Sequence, residues 1–209
     1  MAEHRVTDFP DGANPGGVSH EGAVALSGLG DLPRESAGAT AEAFRLLYER
    51  EFEYVLRTLR RLGIRQADLE DLVHDVFVVV HRRLGDYDAS RPIRPWLFGI
   101  SYRVASDHRR RAHVQREIGV DAPETACPAP GPEALAQAAE ARDLVLAALS
   151  DLDLPFRAAL VLHDLDGCTA PEIARVLEVP LNTVYSRVRL AREKFATAVA
   201  RRSARGRAR

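Results

Sequence analysis

Apolar residues recur at helical spacing over most of this chain. Between Thr40 and Leu62 they are Phe44, Leu47, Tyr48, Phe52, Val55, Leu56, Leu59 and Leu62. Steps of three and four predict one long amphipathic helix, with Gly63 as its stop. A second helix is predicted from about Ala67 to Leu84, with Leu69, Leu72, Val73, Val76, Phe77 and Val80 as its buried stripe. Val78 and Val79 widen that stripe, and Asp68, Asp71, His74, Asp75 and His81 form the opposite strip. Residues 85–95 read as a polar loop stiffened by Pro92 and Pro95, and a third helix from Trp96 to Arg111 turns Leu97, Ile100 and Val104 inward. The register is lost over 113–139, where Pro123, Pro128, Pro130 and Pro132 mark an acidic, Ala-rich linker. Helix resumes at Glu133 or Glu140 with Leu144, Val145, Ala148 and Leu149, and again over 155–165, where Phe156, Leu160, Val161 and Leu165 are expected to pack. The pattern predicts an all-α fold of two small helical domains, 40–112 and 140–200, joined by a flexible linker. Residues 1–39 have no sustained period and more acids than bases, which predicts disorder. Residues 201–209 form a basic tail.

The stretch 167–195 carries the most specific local signal. Thr169 and Glu172 have capping-box spacing, and Pro171 falls in a first turn that needs no N–H. Ile173, Ala174 and Leu177 give this short helix an apolar face, and Glu178-Val179-Pro180 ends it. A second helix opens at Leu181 or Asn182, with Val184, Val188, Ala191 and Phe195 as its stripe. At about 100° per residue, Asn182, Ser186 and Arg189 lie opposite, flanked by Thr183 and Tyr185, with Arg187 and Arg192 nearer the edges. A solvated basic face would look similar on charge alone. Two helices, the first of them capped, joined by a tight turn favour a helix-turn-helix that reads duplex DNA in the major groove. Asn182, Thr183, Tyr185, Ser186 and Arg189 are its base-reading candidates, and Arg187 and Arg192 its phosphate anchors.

Composition narrows the function classes. The 209 residues carry a formal net charge of −1, so nucleic-acid binding must come from local patches. Lys194 is the only lysine; the positive charge is otherwise arginine, as a GC-rich coding sequence would give. Cys127 and Cys168 sit in different segments and lack CxxC spacing, which fits a reducing cytoplasm and argues against a disulfide framework. The histidines form no metal-ligand pattern, and neither a Gly-rich phosphate loop nor a nucleophile motif is present. No cofactor is expected. No apolar run reaches membrane-spanning length and no signal peptide is apparent, so no membrane insertion is expected.

The first domain offers two surfaces. The acidic strip on an over-hydrophobic helix suits a partner protein, and equally a well-packed core helix with a solvated face. Trp96, Phe98, Tyr102, Arg103, His108 and Arg109-Arg110-Arg111 place aromatic and basic groups together, the composition of a platform for unpaired bases.

The order of DLEDLVHDVFVVVHRRL, PWLFGISYRVASDHRRR and GCTAPEIARVLEVPLNTVYSRVRLAR resembles bacterial RNA polymerase sigma factors of the extracytoplasmic-function (ECF) group, in the sigma-70 superfamily. The likeness spans about residues 41–200. It implies sigma region 2 over 40–112 and region 4 over 140–200, and a non-catalytic specificity subunit that aids promoter melting. By resemblance, Asp71, Leu72, His74, Asp75 and His81 would dock on the β′ clamp helices of core RNA polymerase. Tyr87, Arg91, Arg94, Trp96, Tyr102, Arg103, Arg109 and Arg110 would meet the single-stranded −10 element. The helix-turn-helix would read the −35 duplex, with the β flap as a second polymerase contact. Glu178 and Asn182 stand where the family usually has glycine. The linker, with Asp121, Glu124 and Glu133, would thread the basic polymerase channel that later carries RNA. An anti-sigma factor is a further implied partner. The alternative is a stand-alone helix-turn-helix regulator, whose first domain would need a ligand pocket or dimer face instead of these two surfaces.

Overall fold

A computed structural model describes the backbone of residues 37–117 and 133–207, with side chains over 41–112 and 140–204. The predicted disordered arm (1–39), apart from residues 37–39, and the heart of the predicted linker, 118–132 with Asp121 and Glu124, lie outside the described residues. Seven α-helices make up the described fold: α1 (Ala37–Arg61), α2 (Leu69–Arg83), α3 (Ile93–Glu117), α4 (Glu133–Ser150), α5 (Leu154–Leu160), α6 (Ala170–Leu177) and α7 (Leu181–Arg207). No strand occurs among the described residues.

The first three helices close on each other around Val55, Leu59, Leu72, Val76, Leu97 and Ile100, all buried. α1 stops as its sequence predicts. Ile64 N–H reaches Leu59 O at 3.1 Å and Gly63 N–H reaches Arg60 O at 2.9 Å, with Gly63 left-handed at φ +84°. Glycine takes that conformation without a side-chain clash. α3 begins at Ile93, earlier than the predicted Trp96, because Pro95 fits a helix's first turn, where its missing N–H costs nothing. It also runs past Arg111 to Glu117.

In the second group α7 is the spine, packed by α4, α5 and α6. α5 passes into a wide π turn at Val161–Leu165. That turn breaks the 3.6-residue register, so Leu165, expected in the core, turns outward at 47% exposure. The basic tail from 201 continues α7, where Arg201 and Arg202 both pair with Asp151, at 2.7 and 2.6 Å.

The two helical groups are docked on one another, which patterning does not predict. α3 packs on α6 and α1 on α4, and one continuous core runs from Leu47 to Ala191. Two polar nodes sit at the junction. Tyr54 hydroxyl donates to Asp166 Oδ2 at 2.8 Å, and Arg61 Nη1 donates to Asp166 Oδ1 at 3.1 Å. Arg157, 1% exposed, donates to Leu62 O across the junction and to Ser150 O and Leu152 O, each at 2.8 Å, beside it. Gly63 makes room for this. A Cβ there would stand 1.8 Å from Arg157 Nη1.

Candidate nucleic-acid interface

The helix-turn-helix forms as its caps predict. Thr169 amide and hydroxyl donate to Glu172 Oε2 at 2.7 and 2.6 Å, completing the capping box. Those two donors hold the Glu172 carboxyl below the usual glutamate range. Its contribution is therefore full at neutral pH and is lost as pH falls through the depressed value. Thr169→Ala will cost about 1 kcal/mol, and it will shrink the acid-side fall in stability, measured as melting temperature against pH. An unchanged acid limb would contradict this.

Ile173 and Leu177 bury α6 against Val184, Val188 and Ala191 of α7. The opposite side of α7 is open. Asn182, Ser186 and Arg189 are exposed, Tyr185 is 58% exposed, and Thr183 and Arg187 are partly buried. Ser186 Oγ donates to Thr183 O at 3.0 Å, which orients the hydroxyl for its remaining acceptor capacity. Arg189 is held loosely by Glu193 at 2.8 Å. Arg192 is tied to Asp164 by two hydrogen bonds, at 2.9 and 2.6 Å, and the guanidinium holds that carboxyl low. The face predicted for base reading is thus assembled on one helix, while Arg192 already has an anionic partner.

Of the candidate single-strand residues, Tyr87, Arg91, Arg94 and Trp96 gather where α3 begins. Tyr87 and Trp96 rings lie 5.1 Å apart, tilted by 42°, and Tyr87 hydroxyl donates to Arg91 O. Arg94 Nε donates to buried Glu51 at 3.1 Å, with its guanidinium 5.2 Å from the Tyr54 ring centroid. Tyr102 is half-buried. Arg109 and Arg110 are exposed further along α3, and Arg110 pairs with Asp107 at 3.1 Å. Arg103 reaches across to Glu178 of the second group at 2.7 Å. A cleft of about 280 Å³ opens here, with Tyr87, Arg91, Trp96 and Arg103 on one wall and Arg175 and Glu178 on the other.

On α2, Asp71, His74, Asp75 and His81 form an exposed strip. Leu72, included with them, is 5% exposed and supports the strip from the core side. His81 packs edge-on to Phe44 at 4.9 Å, joining the strip to a half-exposed aromatic group of Phe44, Tyr48 and Phe52.

Sequence reasoning missed Glu51, Tyr54, Arg157 and Asp166. Glu51 is paired within the first group, by Arg94 and Arg50, whereas the docking of the groups brings Tyr54 and Arg61 to Asp166 and Arg157 to Leu62 O. Burial pushes the Asp166 carboxyl up, against the pull of Tyr54 and Arg61. Burial also pushes the Cys168 thiol up to about 12, which leaves it a protonated core residue rather than a nucleophile. No metal-ligand cluster occurs among the described residues, and no helix among them is long and apolar enough to cross a membrane.

Known proteins match this arrangement. The family model for sigma-70 region 2 matches residues 47–114 and that for sigma-70 region 4 matches 142–195. The RNA polymerase sigma factor NccH of Alcaligenes xylosoxydans xylosoxydans is 31% identical over 168 residues, covering 78% of this chain and 90% of that protein. Further relatives bear the name ECF RNA polymerase sigma factor. Among solved structures, CnrH in complex with the cytosolic domain of CnrY superposes with a TM-score of 0.52 at 29% identity, covering 77% of this chain and 89% of that one. RpoE of Bartonella quintana, solved with the anti-sigma factor NepR, shares the fold with a TM-score of 0.60 at 22% identity, covering 76% and 98%. A stand-alone regulator would not carry region 2. The capped helix-turn-helix, the aromatic and basic start of α3 and the acidic strip of α2 are therefore parts of one machine, and the chain belongs to the sigma-70 family as an ECF sigma factor, a non-catalytic promoter-specificity subunit of RNA polymerase.

Proposed function

We propose the following division of labour within this sigma factor. Residues 40–112 serve as region 2, with Asp71, His74, Asp75 and His81 docking core polymerase over Leu72. Tyr87, Arg91, Arg94, Trp96, Tyr102, Arg103, Arg109 and Arg110 meet the −10 strand. Residues 140–200 serve as region 4 and read the −35 duplex through Asn182, Thr183, Tyr185, Ser186 and Arg189, with Arg187 and Arg192 on phosphates. The observation that carries this reading is the open polar face of α7, presented by a capped α6 and backed by a buried stripe. Residues 113–139 act as the linker, 1–39 as a dispensable extension and 201–209 as a basic end. An anti-sigma factor is the expected inhibitor, as for RpoE with NepR. The compartment is the cytoplasm, where its polymerase works.

Reading both elements requires the two groups to separate. Sites some 25 steps apart on duplex DNA lie roughly 85 Å from each other at about 3.4 Å per step. Here α3 and α6 are in contact, so the docked form spans far less than a promoter.

The test is initiation in a reconstituted system. Specific transcripts should appear only when this protein joins core polymerase, and operator binding without core association would overturn the assignment. Within region 4, Arg189→Ala will weaken the preferred −35 duplex by about 1–3 kcal/mol and blunt its sequence preference. Arg192→Ala will weaken all duplexes alike and flatten the salt slope. Its tie to Asp164 makes that change the smaller one. Equal losses on every sequence from both variants would contradict the division.

A further inference from the structure

Glu178 is the only non-glycine residue at positive φ among the described residues, at +54°. It caps α6 in the left-handed conformation, where glycine is unstrained and nothing in helix geometry asks for a carboxylate. The use of the side chain lies elsewhere: its Oε1 accepts a hydrogen bond from Arg103 Nη1 at 2.7 Å, across 75 residues of chain. Arg103 is one turn along α3 from Gly99, where a Cβ would stand 3.4 Å from Val176 Cγ1 and 3.5 Å from Val176 O. Those are ordinary contact distances, so the last turn of α6 lies directly on α3 here, beside the cleft lined by Tyr87 and Trp96.

We propose that Glu178 is a latch on the −10 reader. Its carboxylate occupies Arg103 while the two helical groups are docked, and it must be displaced before α3 receives single-stranded DNA. The proposal rests on the assignment of α3 to the −10 strand. Carboxylate and phosphate oxygens compete for the same guanidinium donors, so one anion holds the place of another. Both side chains are well exposed, Arg103 at 43% and Glu178 at 75%. The pair is therefore weak and sensitive to salt, as a contact that opens in every round of initiation must be. The strain at Glu178 is local to region 4 and persists when the groups part, whereas the ion pair exists only when they are docked. Glutamate at this position gives up local stability and gains a contact between domains.

The test is interdomain FRET on the full-length chain, without polymerase or DNA, between dyes carried by non-natural residues at exposed Leu46 of α1 and Ala196 of α7. Glu178→Gln keeps the left-handed backbone and removes the charge. It should raise the ratio of open to docked molecules about threefold in low salt, with less effect in high salt. Glu178→Gly should open the protein to the same extent while raising its melting temperature by roughly 2–4 °C, because the strain is gone. The charge swap Arg103→Glu with Glu178→Arg should return the ratio to the wild-type value, which a purely local role for Glu178 would not do. An unchanged ratio in Glu178→Gln, or a swap no more docked than Arg103→Glu alone, overturns the latch. Because this arm involves neither DNA nor polymerase, its failure is separate from a failure of the −10 assignment. A second arm measures association with the cognate core polymerase, which Glu178→Gln should speed by the same factor. A shifted FRET ratio with unchanged association overturns the role in access.

Discussion

Arg157→Met will destabilise this protein by about 3 kcal/mol or more and will weaken the docking of its two helical groups. The guanidinium is 1% exposed and faces no carboxylate among its hydrogen-bond partners. It serves three carbonyls instead: Leu62 O at the end of α1, and Ser150 O and Leu152 O between α4 and α5. Methionine keeps much of the volume and removes every donor, and each buried carbonyl left without a partner costs roughly 1–3 kcal/mol. Relief of the arginine's own burial offsets part of this. That burial lowers its guanidinium to about 10, so it remains charged at neutral pH. The carbonyls lie on both sides of the junction, so interdomain FRET should shift toward open molecules as the denaturation midpoint falls. Arg157→Lys should recover little, because an ammonium cannot reproduce the planar fork that reaches three acceptors. A midpoint within experimental error of wild type would refute this account of the node.

Ile173→Ala will cost roughly 2–5 kcal/mol, the range for truncating a fully buried aliphatic side chain. Ile173 is 0% exposed and sits where α6 meets α7, among Leu177, Val184 and Val188. The cavity lies beneath the open polar face of α7, so the loss should be local before it is global. Hydrogen exchange should show protection falling first in α6 and the N-terminal half of α7, with α2 retaining its protection. Affinity for a −35 duplex should drop in step with that local opening. Uniform loss of protection across α1–α7 would instead mean that the continuous core unfolds as one unit.

Ile173 and Arg157 differ in how far the sequence alone marks their roles. Ile173 was legible as a core residue, because the α6 stripe has helical spacing and its start is marked by Thr169 and Glu172. The role of Arg157 was not legible. An arginine at the start of a short amphipathic helix reads as solvated, and its acceptors are backbone atoms that no sequence pattern marks. The same holds for Tyr54 and Asp166, which are 112 residues apart and joined by one hydrogen bond. Leu165 failed in the opposite direction: its spacing placed it in the core, and a π turn rotated it out.

Glu178 is instructive because the sequence marked it and could not explain it. A glutamate where a turn wants glycine was visible as an anomaly, and its partner on α3 was not. Local chemistry is written in local spacing, so the sequence by itself determined the helices, the cap of α6, the helix-turn-helix and the open polar face of α7. The docking of the two groups, the buried polar nodes between them and the pairing of Arg103 with Glu178 were decided only in three dimensions. Those contacts join residues far apart in the chain, through single side chains and backbone carbonyls that leave no periodic trace.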